Sequence, residues 1–172
     1  MAPKRMKIGG DLPPFFGVNA SLAACLYLVD VAFNSSIEYG ELPHQDAMDN
    51  SRDAIVSFVQ VLLQIAALVN LFVLLGGTFL FRSGLFGMLY TQFRLVLLVH
   101  PAYICLTVIL GIARVNLLSA DIAHVDIWDA RGYAVFSSIH KLGALCYYAC
   151  SIYAVEQLRS RKFYSHEYWM HR

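Results

Sequence analysis

Charge is what this 172-residue chain has least of: Lys, Arg, Asp and Glu make up 15% of it, against 58% apolar residues. Soluble domains carry nearer a quarter charged residues, so the composition excludes an ordinary soluble globule and points to the membrane class. No basic block stands outside the two tails, which removes a nucleic-acid-binding face. There is no HExxH, GxSxG or P-loop motif and no CxxC pair. The four cysteines, Cys25, Cys105, Cys146 and Cys150, all fall in apolar segments, where small packing residues are the plain reading. Cys146 and Cys150 share a helix face at i, i+4 and would be open to palmitoylation near a cytoplasmic end. Internal repeats and low-complexity tracts are lacking, and the connections are short. Almost no soluble mass remains to carry an enzyme, so no catalytic residue, cofactor or metal site is expected.

What is there is a series of four apolar segments, each long enough to cross a ~30 Å hydrocarbon core, which takes ~20 helical residues. The first, 15–37, contains Asp30 as its only charge. It follows the basic flank Lys4, Arg5 and Lys7, but outruns a signal-peptide core and is expected to stay as an anchor. The second apolar run, 54–81, is too long for one upright helix. Gly76-Gly77 offers a break, giving a span over 54–75 and a short interfacial amphipathic segment over 78–94, with Arg82 and Arg94 as its polar handles. A single tilted helix is the alternative. The third span, 95–113, is uncharged but holds His100 and Pro101; the fourth, 134–155, carries His140 and Lys141.

Lysine and arginine set the orientation. Nine of them (Lys4, Arg5, Lys7, Arg82, Arg94, Arg159, Arg161, Lys162 and Arg172) fall in the two tails and the middle connection. The other two connections hold only Arg52, Arg114 and Arg131 among many acids. The expected fold is therefore an all-α polytopic membrane protein with four transmembrane helices. Residues 1–14 form a cytoplasmic tail, 15–155 the membrane domain, and 156–172 a basic-aromatic cytoplasmic tail.

Asp30 and Lys141 both lie roughly 10 Å below the outer interface at ~1.5 Å per residue. A lone charge at that depth costs ~2.5–3.5 kcal/mol, so the two are expected to pair, with His140 beside them. A proton or ion path past Asp30, His100 and His140 is the functional alternative, but it is thin, because the inner half offers only His100. His100 and His140 are placed near opposite faces of the bilayer. Gln60, Gln64 and Asn70 read as amides that bond across helices, and Ser137, Ser138, Gly143 and Ala144 as a small-residue contact stretch. Of two sequons, the one at Asn19 lies inside a span; Asn34 is a possible glycosylation site, close to the bilayer. In the tail, Arg161, Lys162 and Trp169, with Tyr164 and Tyr168, are expected to anchor at anionic headgroups or dock a partner.

Leu28-Val-Asp30 through Phe33-Asn34-Ser35, Ile65-Ala-Ala-Leu-Val-Asn70 and Thr78-Phe-Leu-Phe-Arg-Ser-Gly84-Leu form an ordered series. Phe93-Arg94, Ile127-Trp128 and the tail Phe163-Tyr164 with Trp169 continue it. The series resembles the transmembrane protein 138 family, small four-span proteins of ciliated eukaryotes. The resemblance implies a non-enzymatic role in cilium assembly and in delivery of membrane proteins to the cilium. It also implies a place at the transition zone, the ciliary membrane, or vesicles and endomembranes of vacuole type that feed them. Partners implied are the lipid bilayer and other small ciliary membrane proteins, such as transmembrane protein 216 or the tectonic complex, with ciliary membrane cargo. The interval from Asn70 to Thr78 is shorter and the loop 38–53 longer than the family pattern, and the four-span frame stands. A small transporter or channel, and an accessory subunit of an organellar membrane complex, are the rival expectations.

Overall fold

Uncharged runs of Leu, Ile, Val and Ala must satisfy their backbone N–H and C=O groups within the segment when no water is at hand, and the helix does so. The computed structural model describes residues 12–40, 50–120 and 124–170, and the regular elements among them are all helical. They are α1 (Phe16–Gly40), α2 (Asn50–Gly76), α3 (Phe79–Arg82), α4 (Phe86–Ser119), α5 (Tyr133–Leu158) and α6 (His166–Met170). Two 3-10 turns, His124–Asp129 and Arg161–Tyr164, flank α5. Lys4, Arg5, Lys7, the acids of 41–49, Asp121 and Arg172 lie outside the described residues.

Among the described residues, three segments are long and apolar enough to cross a membrane: Phe16–Ile37, Ala54–Gly76 and Phe86–Ser119. The chain is an integral membrane protein. The first two match the expected spans closely, and α2 does end at the glycine pair. There the Gly77 N–H reaches back to the Val73 and Leu74 carbonyls, and the Thr78 hydroxyl donates to the Leu75 carbonyl at 2.6 Å. A Cβ on Gly77 would come within 3.1 Å of the Pro13 ring, so the start of α1 and the end of α2 touch here.

The segment beyond differs from the interfacial stretch expected over 78–94. Thr78 caps a single turn, α3, and Gly84 at φ +73° reverses the chain, which costs little only for a residue without Cβ. From Phe86 onward the chain already belongs to α4. That helix runs 34 residues, well beyond the expected 95–113, and takes in Arg114. It bends at Phe93 (φ −118°, ψ 15°), and Pro101, which lacks an N–H for the Leu97 carbonyl, is accommodated inside it.

α2 packs between α1 and α4, and α4 between α2 and α5. Hydrogen bonds from α1 to α5 close the ring of four long helices. Outward-facing Val18, Leu28, Phe58, Leu95, Leu142 and Ile152 are 61 to 70% exposed, while Asp30, Gln60, Gln64, His100, Thr107 and Ser151 are buried. This is the reverse of a water-soluble helix bundle and is the pattern a hydrocarbon surround selects.

One end of the bundle gathers the beginning of α1, the α2–α4 connection and the C-terminal tail. Its core is apolar: Leu71, Leu75, Leu80, Phe93, Leu158, Phe163 and Trp169 form one cluster. At the other end, Leu118, Ile127 and Tyr133 make a smaller cluster beside Trp128.

Candidate functional site

The four long helices each contribute an i, i+4 or closely spaced polar set to one buried layer. Residues so spaced share a helix face, so each set turns inward together. α1 supplies Asp30 and Asn34, α2 Gln60 and Gln64, α4 Tyr103 and Thr107, and α5 His140, Tyr147 and Tyr148. Asp30 is 1% exposed and Gln64 0%.

The Asp30 carboxylate is the acceptor at the centre. Gln64 Nε2 donates to its Oδ1 at 3.0 Å and Gln60 Nε2 at 3.3 Å, while the Tyr148 hydroxyl donates to Oδ2 at 2.5 Å. Each glutamine uses its second N–H elsewhere: Gln60 on Asn34 Oδ1 (2.8 Å) and Gln64 on the Thr107 hydroxyl (3.1 Å). Asn34 Nδ2 then donates to the hydroxyls of Tyr103 (3.0 Å) and Tyr148 (3.1 Å). The Thr107 proton goes to the Tyr103 carbonyl at 3.0 Å, so His140 Nε2, 3.0 Å from the same hydroxyl, must carry a proton and donate. A continuous hydrogen-bonded chain therefore runs His140–Thr107–Gln64–Asp30–Tyr148–Asn34–Tyr103, touching all four long helices. Among the described residues, Gln64 Oε1 has no hydrogen-bond partner.

An aromatic stack extends the layer along the bundle axis. His140 stacks on Tyr103 at 5.0 Å, Tyr103 on Tyr147 at 4.5 Å, and Tyr147 leans on His100 at 4.7 Å. His100 Nε2 donates to Ser151, whose own proton goes to the Tyr147 carbonyl. The histidines expected at opposite faces thus belong to one column, separated by two tyrosines. Among the described residues, no group of three or more His, Cys, Asp or Glu could hold a metal ion. A cavity of about 40 Å³, lined by Asn34, Gln60, Thr107, Arg114, His140 and Lys141 among others, adjoins the network. A water needs roughly 10–15 Å³, so this space suits a few waters.

The remaining candidate residues lie elsewhere. The Lys141 ammonium stands 5.0 Å from the Trp128 ring centroid, and among the described residues the hydrogen-bond donors to Asp30 are the neutral Gln60, Gln64 and Tyr148. A glycan attaches at the asparagine Nδ2, so one on Asn34 would have to displace the bonds to Tyr103 and Tyr148. Arg82, Arg94 and Arg161 are exposed, and Lys162 lies over the Phe163 ring at 4.9 Å. Trp169 is 6% exposed, packed on Phe163, with its indole N–H donating to the Lys162 carbonyl at 2.8 Å. Burial pushes the neighbouring Tyr164 phenol up to about 12 from its ordinary 10.

The amides on α2 were legible as cross-helix donors, but the acceptor they serve was not. Thr107, Tyr103 and Tyr148 escaped the sequence reading altogether. The signal that could have found them is the i, i+4 pair Tyr103–Thr107 inside an otherwise uncharged span, one turn after His100.

The family model for transmembrane protein 138 matches residues 54–172, which includes α2 from Ala54 onward, α4, α5 and the tail. The chain belongs to the transmembrane protein 138 family. The match begins at Ala54, so the network residues of α2, α4 and α5 fall within it and α1, with Asp30 and Asn34, precedes it. Neither the curated proteins nor the solved structures provide a match.

Proposed function

We propose that this family member is a non-enzymatic membrane scaffold that serves cilium assembly and the delivery of membrane proteins to the cilium. The observation that carries the reading is the family match over residues 54–172. The polar layer fits it, because a chain of hydrogen bonds through all four long helices holds a bundle in one register without needing a reaction centre.

In this reading α5 is the fourth span. Its 26 residues reach ~39 Å at ~1.5 Å each, enough to cross, and its polar groups His140, Tyr147 and Ser151 turn inward. Both termini are cytoplasmic, because the tail end of the bundle carries Arg82, Arg94, Arg159, Arg161 and Lys162. The partners are other small membrane proteins of the ciliary gate, met through the apolar outer faces, with the exposed arginines of the tail end reaching cytoplasmic partners.

The test is localisation of a C-terminally tagged copy in a ciliated cell, combined with protease protection of the tag. Signal at the cilium or its base, with the tag digested from the cytoplasm, is the expected result. A mitochondrial signal would replace the ciliary role with that of an organellar subunit. A protected tag would reverse the orientation.

A further inference from the structure

At the bend of α4 lies a groove between α4 and α5 with a volume of about 620 Å³, in the range of small-molecule sites. Its walls are apolar, with Leu95 and Val96 on α4 facing Ala149 and Tyr153 on α5. The smallness of Ala149 leaves the space. One end is polar: Gln92 and Gln157 meet there at 3.4 Å, beside Arg94. Arg94 is exposed and has no acidic partner among the described residues.

Depth gives the arrangement its meaning. Beyond its bend at Phe93, α4 rises ~39 Å from Arg94 to Ser119 against a ~30 Å hydrocarbon core, so about 5 Å overhangs at each end. Arg94 is the first residue past the bend and so stands about 5 Å outside the hydrocarbon boundary, in the headgroup layer. An arginine there wants an anion, and an acidic lipid supplies a net negative headgroup charge that a zwitterionic choline lipid lacks.

We propose that this groove binds one phospholipid whose headgroup carries a net negative charge, with that charge held by Arg94 and its acyl chain between Leu95, Ala149 and Tyr153. Gln92 and Gln157 offer further amide donors to the headgroup or glycerol oxygens. A partner helix would fill the apolar walls but leave the guanidinium unmatched, so charge complementarity selects the lipid. The inference rests on α5 being a membrane span, as proposed above.

The experiment is native mass spectrometry of the full-length protein released from mixed micelles with equal dioleoyl-phosphatidylserine and dioleoyl-phosphatidylcholine. The wild type should retain one lipid, preferring the serine lipid. Arg94→Gln should lower that preference about fivefold, one surface arginine's worth, and still retain lipid. Ala149→Phe should abolish retention of both lipids, and Ala149→Leu should weaken it where the phenylalanine variant fails to fold. Arg82→Gln, outside the groove, should keep the wild-type preference. An unchanged preference in Arg94→Gln, full retention in folded Ala149→Phe or Ala149→Leu, or a wild type that retains no lipid would each overturn the site. Lost selectivity with a digestible tail tag defeats the lipid site alone; intact selectivity with a protected tag defeats only the orientation.

Discussion

The two halves of this bundle are held by opposite means. At the tail end Leu71, Leu80, Phe93, Phe163 and Trp169 interlock as a soluble core would, and little there depends on polar side chains. Through the middle, Asp30, Asn34, Gln60, Gln64, Thr107 and Tyr148 hydrogen-bond across four helices. The difference follows from surroundings. In hydrocarbon, apolar side chains gain nothing by leaving lipid, so register there comes from packing and polar bonds. Near the headgroup layer water is close, and burying Phe163 or Trp169 is again favourable.

Truncation in each half should separate the two modes most clearly. Asp30→Ala strips three donors of their acceptor and should cost about 3 kcal/mol, since each stranded buried group carries ~1–3 kcal/mol. Leu80→Ala, at a fully buried site in the apolar half, should cost about 2 kcal/mol, the lower end for such cavities. Unfolding in bicelles by steric trapping reads both. A neutral Asp30→Ala would mean that the polar layer is decoration and that packing holds both halves.

The same contrast explains what was legible in the sequence. Apolar runs of fixed length announce helices, so α1 and α2 were readable to within a residue or two at their membrane-spanning parts. α4 was not: nothing in Leu95 to Ala113 tells a helix to stop, and Arg114 continues it because its buried surroundings are tertiary. Asp30 stood out as a charge in a span, but the rotation of α2 against α1, which delivers Gln60 and Gln64 to it, depends on packing of faces distant in the chain. Trp169 read as a headgroup anchor from composition alone. Its burial needs the α3 turn and Leu158 beneath it, neither of which a local pattern contains.

A smaller effect decides how the network's charge is handled. The proposal that Asp30 and Lys141 act as a pair predicts that Asp30→Asn and Lys141→Met are less than additive in combination, by 1 kcal/mol or more. A carboxylate held only by Gln60, Gln64 and Tyr148 predicts additivity within ~0.5 kcal/mol. Folded yield of the two single variants and the double variant distinguishes them, and rescue by the double change is the outcome that keeps the pair.

The smallest effect uses one substitution in both halves. Tyr148→Phe removes a donor to Asp30 and an acceptor for Asn34, and should cost about 1–2 kcal/mol. Tyr164→Phe removes a buried hydroxyl that has no hydrogen-bond partner among the described residues, so its effect should stay within ~0.5 kcal/mol of zero or be stabilising. Alkali sharpens the test. Burial raises the Tyr164 phenol to about 12 from 10, so the folded tail keeps its proton where an unfolded tail would lose it. Its contribution is therefore complete below about pH 10 and disappears as pH rises through about 12. Trp169 fluorescence should report the tail loosening in that window in the wild type and much less in Tyr164→Phe. If both proteins loosen alike, the tail is released by some other group, and the apolar half is held less by Phe163 and Trp169 than its packing suggests.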